Sequence, residues 1–144
     1  MLHLLHPPLV HFTVALLVLG GSLEAWGLLA RRDGPLRLGA ALVLLGSATV
    51  PLTMFTGYIA ANTVHVPERA ARTLALHELD AWLIAATFGG ALFWKGWYGG
   101  RVPERHRVPY AALLALGVLL VVWAAFLGGE LVYVNGVGVG ARSG

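Results

Sequence analysis

Tyr110–Gly129 reads YAALLALGVLLVVWAAFLGG, a run without a charged side chain. At a helical rise of about 1.5 Å per residue it spans about 30 Å, the thickness of a bilayer's hydrocarbon core. Three further apolar runs precede it. Leu9–Ala30 holds one charge, Glu24, and Leu36–Asn62 holds one at its edge, Arg37. Ala81–Trp94 is uncharged and extends back through a more polar turn to about residue 70. The pattern predicts an all-α, polytopic membrane protein. Four transmembrane helices are expected near 7–30, 36–62, 70–97 and 109–132, in a single domain over 1–144. The third helix is the most polar, with His77, Glu78 and Asp80 in its first turns.

Composition agrees. Hydrophobic residues make up 58% of the 144-residue chain, charged residues 12%, and the mean hydropathy is +0.75. Soluble domains carry about 25% charged residues, and disordered chains are the reverse of this composition. There is no cysteine. Disulfides, thiolate metal sites, Cys-ligated iron–sulfur clusters and covalently attached haem are therefore excluded, and metal chemistry must rest on His, carboxylates or backbone. The net charge of +3 is not laid out as a nucleic-acid footprint, so no nucleic-acid partner is expected.

Punctuation sets the helix ends. Pro7-Pro8 opens the first helix, where proline forfeits no backbone bond, and Asp33-Gly34-Pro35 reads as a tight turn. Residues 62–67 separate helices 2 and 3, Gly99-Gly100 ends helix 3, and Pro109 opens helix 4. Short connections predict an up-down-up-down bundle in which helices 1 and 3 lie on a diagonal. Pro51 is expected to kink helix 2, with the hydroxyls of Thr49, Thr53 and Thr56 bonding the freed carbonyls. Gly20-Gly21, Gly57, Gly89-Gly90 and Gly117 are expected at close helix–helix approaches, and such glycine faces also suit a homo-oligomer. No basic stretch precedes the first apolar run, so a cleaved signal peptide is not expected.

The sparse charges separate into layers. Face A is the side of the N-terminus, and face B carries loops 31–37 and 95–108. Face B holds Arg31, Arg32, Arg37, Lys95, Arg101, Arg105 and Arg107, against Arg69, Arg72 and Arg142 on face A. The positive-inside rule makes face B cytoplasmic. The expected location is a bacterial inner (cytoplasmic) membrane, crossed several times, with both termini periplasmic. His3, His6, His11, His65 and His77 fall on face A, and only His106 falls on face B. Glu130 also comes to face A. Glu24, deep in helix 1 toward face B, reads as the partner of Lys95 or a nearby Arg.

His11 lies about 6 Å into helix 1, and His77 is about as deep in helix 3. Across a diagonal these two imidazoles can ligate a b-type haem axially. Phe12, Phe55, Tyr58, Trp82 and Trp123 would pack the macrocycle, and Arg69 and Arg72 would pair its propionates. Alternatively, His6, His11, His77 and Glu130 form a site for a single Zn, Fe or Cu ion. In the plainest alternative the polar residues are interhelical hydrogen bonds or a proton-linked path, in a membrane anchor, assembly subunit or small transporter. The tail from Asn135 to Gly140 is too glycine-rich for helix and either folds back over face A or frays.

His6-Pro7-Pro8-Leu9-Val10-His11-Phe12 resembles the opening of a bacterial membrane family called domain of unknown function 2231. Glu24, Thr56-Gly57, His77 and the closing stretch Gly128-Gly129-Glu130-Leu131-Val132-Tyr133 with Gly136-Val137-Gly138-Val139 look like that family too. The resemblance runs from His6 to Val139 and brings no assigned activity. Some relatives are fused to Rieske iron–sulfur or cytochrome c modules, which implies a periplasmic redox partner of that type. No Ser-His-Asp set, phosphate-binding loop or paired-carboxylate motif stands out. The expectation is an electron-transfer or binding subunit in the lipid bilayer rather than a stand-alone enzyme.

Overall fold

The computed structural model describes residues 2–139, with side chains from residue 4 onward. The chain folds as α1 (His6–Ala30), α2 (Asp33–Thr63), α3 (Ala71–Trp97) and α4 (Arg107–Gly129). Single 3₁₀ turns at Leu2–Leu5, Glu68–Ala70 and Glu104–His106 precede α1, α3 and α4. A wider π-type turn, Glu130–Val134, extends α4. No strand occurs among the described residues. His3's side chain, Gly140 and Arg142, expected on face A, lie outside the described residues.

The first reversal is tighter than expected. Asp33-Gly34-Pro35 is not a turn but the first turn of α2. Proline is tolerated there because its missing N–H has no helical partner, and the Asp33 carboxylate suits the positive end of the helix dipole. The chain turns on Arg31 and Arg32 alone. Arg31 is left-handed (φ 56°), and Arg32 N–H donates to the Gly27 carbonyl at 2.8 Å. Gly27 permits this, since a Cβ there would collide with the backbone nitrogen of Leu36. Gly39 acts likewise further along α2, where a Cβ would run into the backbone nitrogen of Glu24. Of the other glycines, Gly20, Gly21, Gly57 and Gly117 sit at close approaches, whereas Gly89 and Gly90 face open space.

α1 packs most closely on α2 and also on α4, and α3 packs on α4 and only lightly on α2. α1 and α3 are therefore diagonal. Leu17, Val43, Phe88, Leu114 and Val121 fill the middle of the bundle. The outside is apolar as well: Leu19, Leu44, Phe55, Leu119 and Phe126 are exposed. An apolar exterior of this extent belongs in lipid. Three segments, His6–Ala30, Asp33–Thr63 and Glu104–Val134, are long and apolar enough to cross a membrane. α3 has comparable length, with 27 residues, but carries Arg72, Glu78, Asp80 and Lys95. A fourth span is not established by composition.

Pro51 leaves α2 continuous. Thr49 Oγ1 donates to Gly46 O at 2.7 Å, Thr53 Oγ1 to Thr49 O at 3.0 Å, and Thr56 Oγ1 to Leu52 O at 3.0 Å. These three hydroxyls therefore do not reach the Ser47 carbonyl, the one Pro51 cannot satisfy. A threonine hydroxyl reaches back only three or four residues, and Ser47 is out of register for all three.

Candidate functional site

The polar interior near face A is built from α1, α2 and α3. His6, in the first turn of α1, is half-buried and lies flat against Gly57, where a Cβ would stand 2.8 Å from its Cε1. Its Nδ1 is 3.1 Å from the Thr53 carbonyl and 3.3 Å from Thr56 Oγ1. Donation to the carbonyl makes Nδ1 the protonated nitrogen and leaves a lone pair on Nε2. His77 enters from α3, across the diagonal, and is half-buried. Its Cε1 would be 3.5 Å from a Cβ at Gly128, and its Nδ1 is buried without a hydrogen-bond partner. Below the pair, Thr13 Oγ1 meets Thr49 Oγ1 and Thr53 Oγ1, each at 2.8 Å. This threonine cluster ties α1 to α2. One helical turn below His77, Asp80 is 4% exposed, with Oδ2 unpartnered.

The expected pairing of His11 with His77 across the core is not what the structure has. His11 is exposed, and its Nδ1 donates to the Pro7 carbonyl of its own helix at 2.6 Å. His6 and His11 are five positions apart, about 140° around a helix, so burying one turns the other outward. Glu130 does not join the histidines either. It accepts from Thr73 Oγ1 at 3.2 Å, at the start of the π-type turn. No three His, Asp or Glu side chains gather as a metal-holding group among the described residues, so His6, His11, His77 and Glu130 are not assembled as one ligand set.

The proposed haem surroundings disperse in the same way. Phe12, Phe55, Tyr58, Trp82 and Trp123 are all exposed, on the lipid-facing side. Such aromatics form an interfacial belt. Arg72 is exposed, and Arg69 donates to the Asn135 carbonyl at 3.3 Å. That bond helps fold the described residues of the tail back over face A. There Asn135, Gly136 and Val139 line an open pocket of about 430 Å³ with His65 and Arg69. His65 and Glu78 are exposed.

A second polar cluster sits toward face B. Glu24 is 1% exposed; Lys95 Nζ donates to its Oε1 at 2.5 Å, and Tyr110 Oη at 3.4 Å. The pairing expected from sequence is present. Trp94 stacks edge-on against Tyr110 and donates to His106 Nδ1 at 3.4 Å. The apolar layer of Leu17, Val43, Phe88 and Leu114 lies between the two clusters. The inward aim of Asp80 and the threonine triad went unread in the sequence. The signal was there, since Asp80, Ile84, Phe88 and Ala91 form the buried stripe of α3 at helical spacing.

No curated protein and no solved structure matches this chain. The profile of one family, described as predicted membrane protein (DUF2231), matches residues 2–141. With nearly the whole chain covered, including the opening histidine motif, Glu24, His77 and the closing glycine-rich turn, this four-helix protein belongs to that predicted membrane protein family.

Proposed function

We propose that the chain is a membrane-embedded metal-binding subunit whose ligands are His6 and His77, near face A. The carrying observation is that diagonal helices each place a half-buried imidazole at the polar end of the bundle, His77 with a buried, unpartnered Nδ1. A ligating His commonly donates its other ring N–H to a backbone carbonyl, which fixes tautomer and orientation, and His6 does so to Thr53. Imidazole donors suit zinc, iron or copper. Two protein ligands leave coordination positions for water or a small molecule.

In this reading α3 is the fourth span, face B is cytoplasmic by its basic residues, and the site opens to the periplasm of a bacterial inner membrane. Iron or copper would let it exchange electrons with a periplasmic partner of Rieske or cytochrome c type. Haem b between the same histidines is less well supported, because the aromatic side chains that would flank a porphyrin face outward.

Elemental analysis of the purified protein, free of any affinity tag, tests this. The expected result is about one metal ion per chain, lost in His6→Ala and His77→Ala and kept in His11→Ala. A metal-free wild type, or equal metal in all three variants, would refute the proposal. A redox-sensitive Soret band with matching iron would assign haem instead.

A further inference from the structure

With α3 as a span, the Asp80 carboxyl lies about 14 Å along it from Ala71. Asp80 is 4% exposed, and its Oδ2 is buried without a hydrogen-bond partner. No Lys or Arg among the described residues pairs with it, since Lys95 holds Glu24 and Arg31 and Arg107 hold Glu104. His77, one turn above, does not serve either, because its own Nδ1 is unpartnered. An ionisable group at this depth is costly and calls for a counter-charge, which the described residues do not supply.

A second set of oxygens stands at the same level. α1 and α3 run parallel, and Phe88 of the buried α3 stripe comes within 3.7 Å of a Cβ placed at Gly21 of α1. Eight residues back along each helix from that contact stand Asp80 and Thr13, both buried. Thr13 Oγ1 donates to Leu9 O at 3.0 Å, Thr49 Oγ1 to Gly46 O at 2.7 Å and Thr53 Oγ1 to Thr49 O at 3.0 Å. A hydroxyl has one proton, so none remains for the 2.8 Å contacts of Thr13 Oγ1 with the other two oxygens. The lone pairs of Thr13 therefore face those of Thr49 and Thr53. The threonine cluster and the carboxylate lack the same thing, a positive charge. Oxygen donors suit a hard cation. One carboxylate is balanced by a monovalent ion, and oxygens this close together suit a small one. The other acids of the interior add no charge here, since Glu24 is paired with Lys95 and Glu130 bonds Thr73.

We propose that Asp80 and the hydroxyl oxygens of Thr13, Thr49 and Thr53 bind one sodium ion in the bundle interior. The site takes neither His6 nor His77 as a ligand and does not depend on the metal proposed there. Leu17, Val43, Phe88 and Leu114 close it toward face B, so the ion enters from face A.

The test is thermal unfolding of the purified full chain in detergent, titrated with NaCl against choline chloride at constant ionic strength. Wild type is expected to melt roughly 5 °C higher at a Na⁺ concentration tenfold above the dissociation constant. Equilibrium dialysis with radioactive sodium is expected to give about one saturable ion per chain. Asp80→Asn is expected to abolish both signals, and Glu78→Gln, at an exposed position of the same helix, to keep both. Thr13→Val is expected to raise the dissociation constant about tenfold or more, the worth of a polar contact to a charged group. Should Asp80→Asn not fold, the Thr13→Val comparison decides. A wild type that responds equally to NaCl and choline chloride overturns the proposal, and is the outcome if Asp80 simply carries a proton. So does a Na⁺ response that Asp80→Asn or Thr13→Val leaves unchanged. His6→Ala, which removes a ligand of the histidine site, is expected to keep the Na⁺ response, so the two sites fail separately.

Discussion

At the scale of residues, the buried Glu24–Lys95 pair anchors the polar cluster toward face B. Glu24 comes from α1 and Lys95 from α3, so the pair closes the face B end across the diagonal. Removing one partner strands a charge. Glu24→Ala is expected to destabilise the fold by about 3–5 kcal/mol, whereas Glu24→Leu with Lys95→Met is expected to restore most of that loss. Denaturant unfolding in mixed micelles measures both. The threonine cluster is worth less. Thr13→Val is expected to cost about 0.6 kcal/mol, the average for interhelical hydrogen bonds in membranes, on the same assay. Glu24 was readable in advance because a lone charge in an apolar run must find its opposite. His6 was not, because sequence names both histidines and leaves the rotation of α1 open. One clue was available. Glu24 follows His6 by about five helical turns, so a buried Glu24 places His6 on the inward line and His11 off it.

At the scale of elements, the α1–α2 hairpin is the tightest unit, and glycine makes it so. A Cβ at Gly39 would collide with the α1 backbone beside Glu24. Backbone cannot yield as a flexible side chain can, so Gly39→Ala is expected to cost more than about 3 kcal/mol or prevent folding. Gly96→Ala, in open space on α3, is expected to leave stability unchanged or slightly raised. Thermal unfolding in detergent separates the two. The helix limits followed closely from proline, glycine and apolar runs. The Asp33-Gly34-Pro35 reading failed because the same three residues suit a turn and a helix N-terminus equally well. Packing decided between them, since Gly27 lets Leu36 approach and moves the reversal onto Arg31 and Arg32.

At the scale of the whole molecule, the bundle is two polar layers held apart by an apolar one. If α3 crosses the membrane, loops 64–70 and 98–106 lie on opposite sides. The chain has no cysteine, so single-cysteine reporters are unambiguous. Glu68→Cys is expected to react with an impermeant maleimide from the periplasm, and Arg101→Cys only from inverted vesicles. Labelling of both from one side would show that α3 does not span. The membrane class, the four helices with their approximate ends, and the gathering of histidines toward one end were legible from the residues in order. Those properties depend on composition and order along the chain, which a bilayer reads locally. Which histidine faces inward, which glycines meet a neighbouring helix, and where α2 and α3 separate came from packing alone. Those depend on the rotation of each helix about its own axis. That rotation is set by close contact between helices, and an apolar sequence on all sides of a helix does not encode it.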